Sequence, residues 1–518
     1  MKALTEPLRE LAEFEDIYKK RRENLGMIRI SGCVTSQKTH FMYALGDGSA
    51  YRVIACSSES KARALYEEYK MLSEDVYLYP SKDFLFYQAD IRSKELVKQR
   101  MEVLEAVIQK EQVTVVTSFD AFMDVLLPKE TIRERVIHIK NTDTLDLKEL
   151  EDRLVKIGYD REVQIEGPGQ FAVRGGIIDI YPLTENLPVR IELWGDEVDS
   201  VRSFDVETQR SIENLTEVFI YPAVEYPTDG EKGVSFLDYF EKEKTILFLD
   251  EPVRLLEKGE GVEEEFVEAQ KRRVENGCEV SDEEMRMYTV EELKKKMNGY
   301  ASVGFMALEM RAPGLELRES YQLQTKSVNP YNRSFELLTQ DLKRLKRGKY
   351  RVVLLSGSRT RAKRLAEDLR DYDLSSYYSD DSDRLVKPGE IMTAYGHIAE
   401  GYEYPMLKFT VIAESDIFGK AKKKKKRKIY EGRKIQNFSE LKPGDYVVHE
   451  NHGLGIYQGI EKIEVDKITK DYMKIAYAKG GNLYIPATQL DLIQKYASAD
   501  AKKPKLNRLG SQEWVKTK

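Results

Sequence analysis

The chain has little sulfur chemistry to offer, with three cysteines in 518 residues. Cys33, Cys56 and Cys278 stand far apart and outside any C-x-x-C pair. That excludes a disulfide framework and a cysteine zinc site, and leaves small buried hydrophobes as their reading. Long apolar runs are missing as well. No stretch approaches the roughly 20 apolar residues that span a bilayer, and the opening MKALTEPLRELAEFEDIYKK is charged and amphipathic, without a signal-peptide core. A cytoplasmic protein with no membrane contact is expected. Among five histidines, His449 and His452 are three apart but have no cysteine or third histidine nearby, so no metal site is expected. An excess of positive charge is also absent. The net charge of -6 argues against a surface that coats nucleic acid throughout, while permitting one local basic patch.

Core material is plentiful, with 41% hydrophobic residues, 31 tyrosines and 18 phenylalanines. A chain of this length exceeds one core, and three to five domains are expected. Residues 1–133 alternate β-branched runs with helical patterns, which predicts βα units around a mostly parallel sheet. Tyr51–Ala55 reads as a strand, followed by Ala62, Leu65, Tyr66, Tyr69 and Leu72 at helical spacing. VTVVT at 113–117 repeats the arrangement, and Phe119, Phe122 and Leu126 read as a short helix ended by Pro128.

Residues 134–212 change texture to strands joined by Gly and Pro turns, EVQIEGPGQFAVRGGIIDIYP and then VRIELWGDEVDSVRSFD, which predicts antiparallel hairpins. The α/β texture returns over 213–332, with KTILFLD at 244–250, so the first domain is read as interrupted by a smaller one. A further small α/β unit covers 333–418, where YRVVLLSGS precedes TRAKRLAEDLRDY. Residues 419–436 form a linker around Lys420–Lys428, in which eight of nine residues are basic. Such a block repels itself and stays solvated, with weak DNA or RNA contact as a secondary property. Residues 437–498 are short strands around Pro443-Gly444, HGLG and Gly480-Gly481, the size of a small β-barrel. Residues 499–518 follow it.

A phosphate-binding loop needs a glycine-rich turn whose amides approach phosphate, followed by Lys and Ser/Thr, as GxxxxGK[ST]. Gly32-Cys-Val-Thr-Ser-Gln37-Lys38-Thr39 fits except that Gln37 replaces the second glycine. A side chain stands where backbone must approach, so a relic loop is expected to bind no nucleotide. Asp250-Glu251 ends a hydrophobic strand as a metal-holding acidic pair would, but Pro252 follows. Together the two features suggest descent from a nucleotide-hydrolysing motor domain. No Ser/His/Asp set or carboxylate pair stands out, and no catalytic residue is assigned.

The segment GPGQFAVRGGIIDIYPL…PVRIELWGDEVDSVRSFDVETQRS, 167–211, is very similar to the domain shared by UvrB and the bacterial transcription-repair coupling factors, through which both dock on UvrA. FSELKPGDYVVHENHGLGIYQGI at 438–460 and LYIPATQLDLIQKY at 483–496 resemble the coupling factors' RNA-polymerase-interacting domain, which UvrB lacks. The resemblance covers essentially the whole chain, including FTVIAESDIFG at 409–419 and LGSQEWVKTK at 509–518, which in the family leads into the motor.

It implies a UvrB-like degenerate phosphate-loop module with an inserted β-rich domain, a small α/β domain and a C-terminal Tudor/SH3-like, CarD-like barrel. It further implies contacts with UvrA through Arg174, Arg190 and Trp194, and with the RNA polymerase β subunit through Ile463. Trp194 and Ile463 can each also be read as core residues. The family's ATP- and Mg-dependent translocase on double-stranded DNA is expected to be missing here, leaving this chain without cofactor or catalytic residues. Between Tyr79-Pro80 and Arg100 there is little room for the DNA-clamping hairpin of UvrB. The rival readings are a UvrB-type ATP-dependent helicase subunit and a stand-alone transcription regulator using the barrel alone.

Overall fold

The structure, a computed structural model, describes residues 2–419 except 22, 24–25, 34, 83–93, 207, 228–229, 276–285 and 308. Beyond these it describes 433–434, 441–449, 453–465, 468–478, 481–486, 493–495 and 506. The Lys420–Lys428 run, Cys278, His452 and residues 83–93 of the segment considered for a clamp hairpin therefore lie outside the described residues.

The β-branched runs form the centre of the fold. Tyr51–Cys56, Val113–Ser118 and Thr245–Asp250 share one seven-stranded sheet with Val76–Tyr79, Ala301–Met306, Met27–Ser31 and Leu317–Gln322. Every neighbouring pair is parallel. Val113–Ser118 and Thr245–Asp250 are buried at every position, because apolar layers cover both faces of the sheet. A strand covered on both sides has no polar face, so these runs do not alternate. The expected helix after Tyr51–Cys56 spans Glu59–Tyr69, where the Ser58 side chain caps the Lys61 amide. The segment after Val113–Ser118 differs from expectation. It is a 3-10 turn, Phe119–Met123, with Phe119, Ala121, Phe122 and Met123 all buried.

The insert folds on its own core. Gln170–Arg174, Ile177–Tyr181, Val189–Trp194, Glu197–Phe204 and Ser211–Leu215 form an antiparallel meander. The GG and WGDE turns behave as the sequence predicts, with Gly175 and Gly195 both left-handed at φ 64 and 65. The unit does not end at 212. Glu217–Ile220 pairs antiparallel with Ile137–Lys140, and Tyr159 donates to the carbonyl of Tyr221. The strand before it, Ser211–Leu215, is exposed almost throughout, so hydrophobic alternation fades one strand before the pairing does.

The small α/β unit also starts earlier than 333, because Lys326–Ser327 pairs with Tyr402–Tyr404. Its sheet continues through Phe409–Ile412, Arg351–Ser356, Ile391–Tyr395 and Ser376–Tyr378, flanked by helices Phe335–Arg347 and Arg359–Arg370. The C-terminal unit is a six-stranded β domain in which Gly453–Val465 and Ile468–Ala476 form a long hairpin. No described helix is long and apolar enough to cross a membrane.

Candidate functional site: an occupied phosphate loop and a docking face

The relic loop follows strand Met27–Ser31. Gly32 takes φ +86, and a Cβ there would strike the carbonyl of Leu323, so this position requires glycine. Helix Thr35–Leu45 then begins as in a nucleotide-binding turn, but other groups fill the space. Lys38 Nζ lies 2.8 Å from Asp250 Oδ1 and 2.7 Å from Glu251 Oε1, with its side chain 13% exposed. Burial pulls the Lys38 ammonium down, yet attraction by Asp250 and the bonds to both carboxylates outweigh it, leaving its pKa above the ordinary lysine value. Glu251 reaches this position from a left-handed backbone, φ 58, and also accepts from the Ala307 amide at 2.9 Å. The acidic pair expected at this strand end is therefore committed to the lysine.

The next residues bind the small α/β unit. Ser36 Oγ and Thr39 Oγ1 donate to the two Glu68 oxygens at 2.7 and 2.8 Å. The Ala399 amide donates to Glu68 Oε1 and the Glu400 amide to Ser36 Oγ. Gln37 is fully buried beside the Tyr404 hydroxyl. His40 Nε2 donates to the Leu4 carbonyl at 2.8 Å, which leaves Nδ1 to accept from Tyr404 Oη at 3.2 Å. Burial lowers the imidazole pKa to about 4, consistent with this neutral tautomer. The side chain replacing the second glycine thus serves a domain contact.

The outer face of the insert is built around one carboxylate. Asp179 is buried and accepts Arg190 Nε at 2.6 Å and Nη2 at 2.9 Å. Arg174 bonds the same carboxylate from the neighbouring strand. Arg190 also packs over Phe204 and donates to Gln209. Its side chain is only 15% exposed, against 47% for Arg174. Alternation along Val189–Trp194 puts Arg190, Glu192 and Trp194 on one face, and Trp194 is 82% exposed beside the Gly195 turn. The core reading of Trp194 is excluded. Sequence reasoning passed over Arg202, which pairs with Glu192 on this face, although the alternation of EVDSVRSF carries the signal. Ile463 sits in the long hairpin, its backbone opposite Lys470.

Two segments match known domain families: residues 137–226 match the UvrB interaction domain, and 441–497 match the CarD-like/TRCF RID domain. They define the class, an α/β protein carrying both domains on one chain. Over 99% of its length the chain is similar, at 30% identity, to the Transcription-repair-coupling factor of Bacillus subtilis, covering 48% of that protein. The coupling factors of Staphylococcus haemolyticus and Staphylococcus aureus are each 29% identical over 86% of the chain, which covers 42% and 43% of them. The chain thus spans about half the length of the curated relatives it matches.

Proposed function

We propose that this chain is the docking half of a transcription-repair coupling factor, an adaptor that brings UvrA and nucleotide excision repair to RNA polymerase stalled at DNA damage. The co-occurrence of a UvrB interaction domain and an RID domain on one chain carries the reading. In it, the outer face of the insert engages UvrA through Trp194 and Arg174, with Arg190 holding Asp179 in place, and the C-terminal hairpin around Ile463 engages the polymerase β subunit. An exposed sheet edge offers unpaired N–H and C=O groups, which suits strand addition by a partner. The whole protein would use ATP and Mg to move on double-stranded DNA and displace polymerase, with that work done outside these 518 residues.

The rival reading, a UvrB-type helicase subunit, needs Lys38 free for phosphate. Its ion pairs with Asp250 and Glu251 speak against that. Co-purification of the chain with UvrA and with RNA polymerase tests the proposal, and simultaneous capture of both is expected. Failure to capture either partner would overturn the adaptor reading.

A further inference from the structure

The edge of the small α/β unit where its parallel strands begin gathers three segments. Helix Phe335–Arg347 ends there. The Tyr350 carbonyl then accepts from the Gly389 amide, and the Arg351 amide donates to the Lys408 carbonyl. These bonds bring together Lys343, Lys346 and Arg347 on the helix, Lys349 just beyond it, Lys387 ahead of one strand and Lys408 in the turn before another. Arg347, Lys349, Lys387 and Lys408 are exposed and the other two half-buried.

None of these six cations forms an ion pair with a described residue. The neighbouring carboxylates are engaged elsewhere: Asp341 with Arg344, Glu390 with Arg384, Glu10 with Arg351, and Glu403 with the Tyr350 hydroxyl. Asp371 and Asp373 precede the edge strand Ser376–Tyr378 and border the surface on that side. Two of the lysines stand where lysine is conformationally costly, Lys349 at φ 61 and Lys408 at φ 47. Gly or Asn would hold these positions with less strain; the helix C-terminus just before Lys349 favours a cation there, whereas no helix end stands before Lys408.

We propose that this surface binds the phosphate backbone of duplex DNA. Lysine is depleted from protein interfaces, which favour aromatic and Arg anchors, whereas hydrated ammonium groups spread over several segments suit a chain of phosphates. Of the aromatic side chains at this edge, Tyr350 is tied to Glu403, and the half-exposed Tyr372 packs on the Phe335 ring between two aspartates at the border of the surface. The inference does not depend on the partner reading above.

The test uses the full chain and a short fluorescein-labelled duplex, followed by anisotropy over a salt series. Arg347→Glu with Lys349→Glu and Lys408→Glu keeps L-residues at both left-handed positions, and circular dichroism checks its fold. A second variant with glutamines at Lys422–Lys426 removes the basic run. The triple variant is expected to lose about tenfold or more in affinity at low salt and to flatten the log K against log salt slope by about 2 to 3, since each phosphate contact contributes about 0.9. The glutamine variant should still show that loss when the triple change is added. The proposal is overturned if the wild type shows no saturable binding, or if the folded triple variant binds within about twofold of it. It is also overturned if the glutamine variant alone abolishes binding, or if polyglutamate displaces the duplex more effectively than unlabelled duplex, which would mark an acidic protein as the partner.

Discussion

Arg100 Nε lies 2.9 and 2.8 Å from the two carboxylate oxygens of Glu225, and both residues are buried. The pair joins the helix Lys94–Gln109 of the central domain to the chain segment returning from the insert. Arg100 also reaches Asp124 at 2.7 Å and the Pro80 carbonyl at 2.7 Å, and its guanidinium packs on the Tyr79 ring. Lys82 adds a second cation to Glu225 at 3.1 Å. Replacing Arg100 with Leu leaves the buried Asp124 without its cation and the buried Glu225 with Lys82 alone. The expected cost is about 3 to 5 kcal/mol, read by denaturant titration, and an unchanged midpoint would show that the network is not structural.

The same cluster sets an acid limit. Burial alone would raise the Glu225 carboxyl, but Arg100 and Lys82 outweigh it and hold its pKa at about 2. A folded pKa below the unfolded one, about 4.3, contributes stability above that value and loses it as pH falls toward about 2. Asp124 acts in the opposite sense, because burial raises its pKa despite Arg100, and it gives back stability as it protonates. The melting temperature of wild type should therefore fall across roughly pH 4 to 2, and Glu225→Gln should lessen that dependence. Equal slopes in the two proteins would remove Glu225 from the account.

ATP should not bind even after the glycine is restored. Gln37→Gly opens one backbone position, but Lys38 stays between Asp250 and Glu251, and residues 399–400 still rest on Ser36 and Glu68. Titration with a fluorescent ATP analogue should show no saturation for wild type or variant. Saturable binding abolished by Lys38→Ala would mean that the loop works.

On the insert, Trp194 and Arg190 should separate binding from folding. Trp194→Ala removes an exposed ring and should weaken UvrA capture with little change in melting temperature, as aromatic anchors do. Arg190→Ala strips the buried Asp179 of two of its three guanidinium bonds, leaving Arg174 alone on it, and should cost about 1 to 3 kcal/mol. If Trp194→Ala captures UvrA as wild type does, the contact lies elsewhere on the domain.

In the C-terminal hairpin, Ile463→Arg should abolish polymerase capture while the melting profile is kept. Unfolding of the β domain would instead identify a core residue, at about 2 to 5 kcal/mol. Full binding by a folded variant would remove the residue from the contact.

Much of this architecture was legible in the chain. TILFLD and VTVVT announce buried parallel strands, and GG and WGDE announce hairpins, because each signal is local. Gln37 in place of glycine was legible for the same reason. The partners of Lys38 were not, since Asp250 and Glu251 stand 212 and 213 positions away and a strand ending in Asp-Glu is common. The shared hold of Arg174 and Arg190 on Asp179 was equally hidden, because strand register decides which charges meet. The end of the insert was missed where a polar edge strand carries no alternation to read.

The first residues of the chain are stitched to some of the last described before the linker. The Lys2 amide donates to the Ser382 carbonyl, Glu10 grips Arg351, and His40 bridges Leu4 to Tyr404. During synthesis, the opening helices leave the ribosome long before these partners exist, and at about 5 to 20 residues per second the wait for Tyr404 is on the order of tens of seconds. Through that interval Leu4 lacks the part of its burial that Leu355, Tyr395 and Tyr402 supply, so this nascent chain has reason to need a holding chaperone until the small α/β unit emerges.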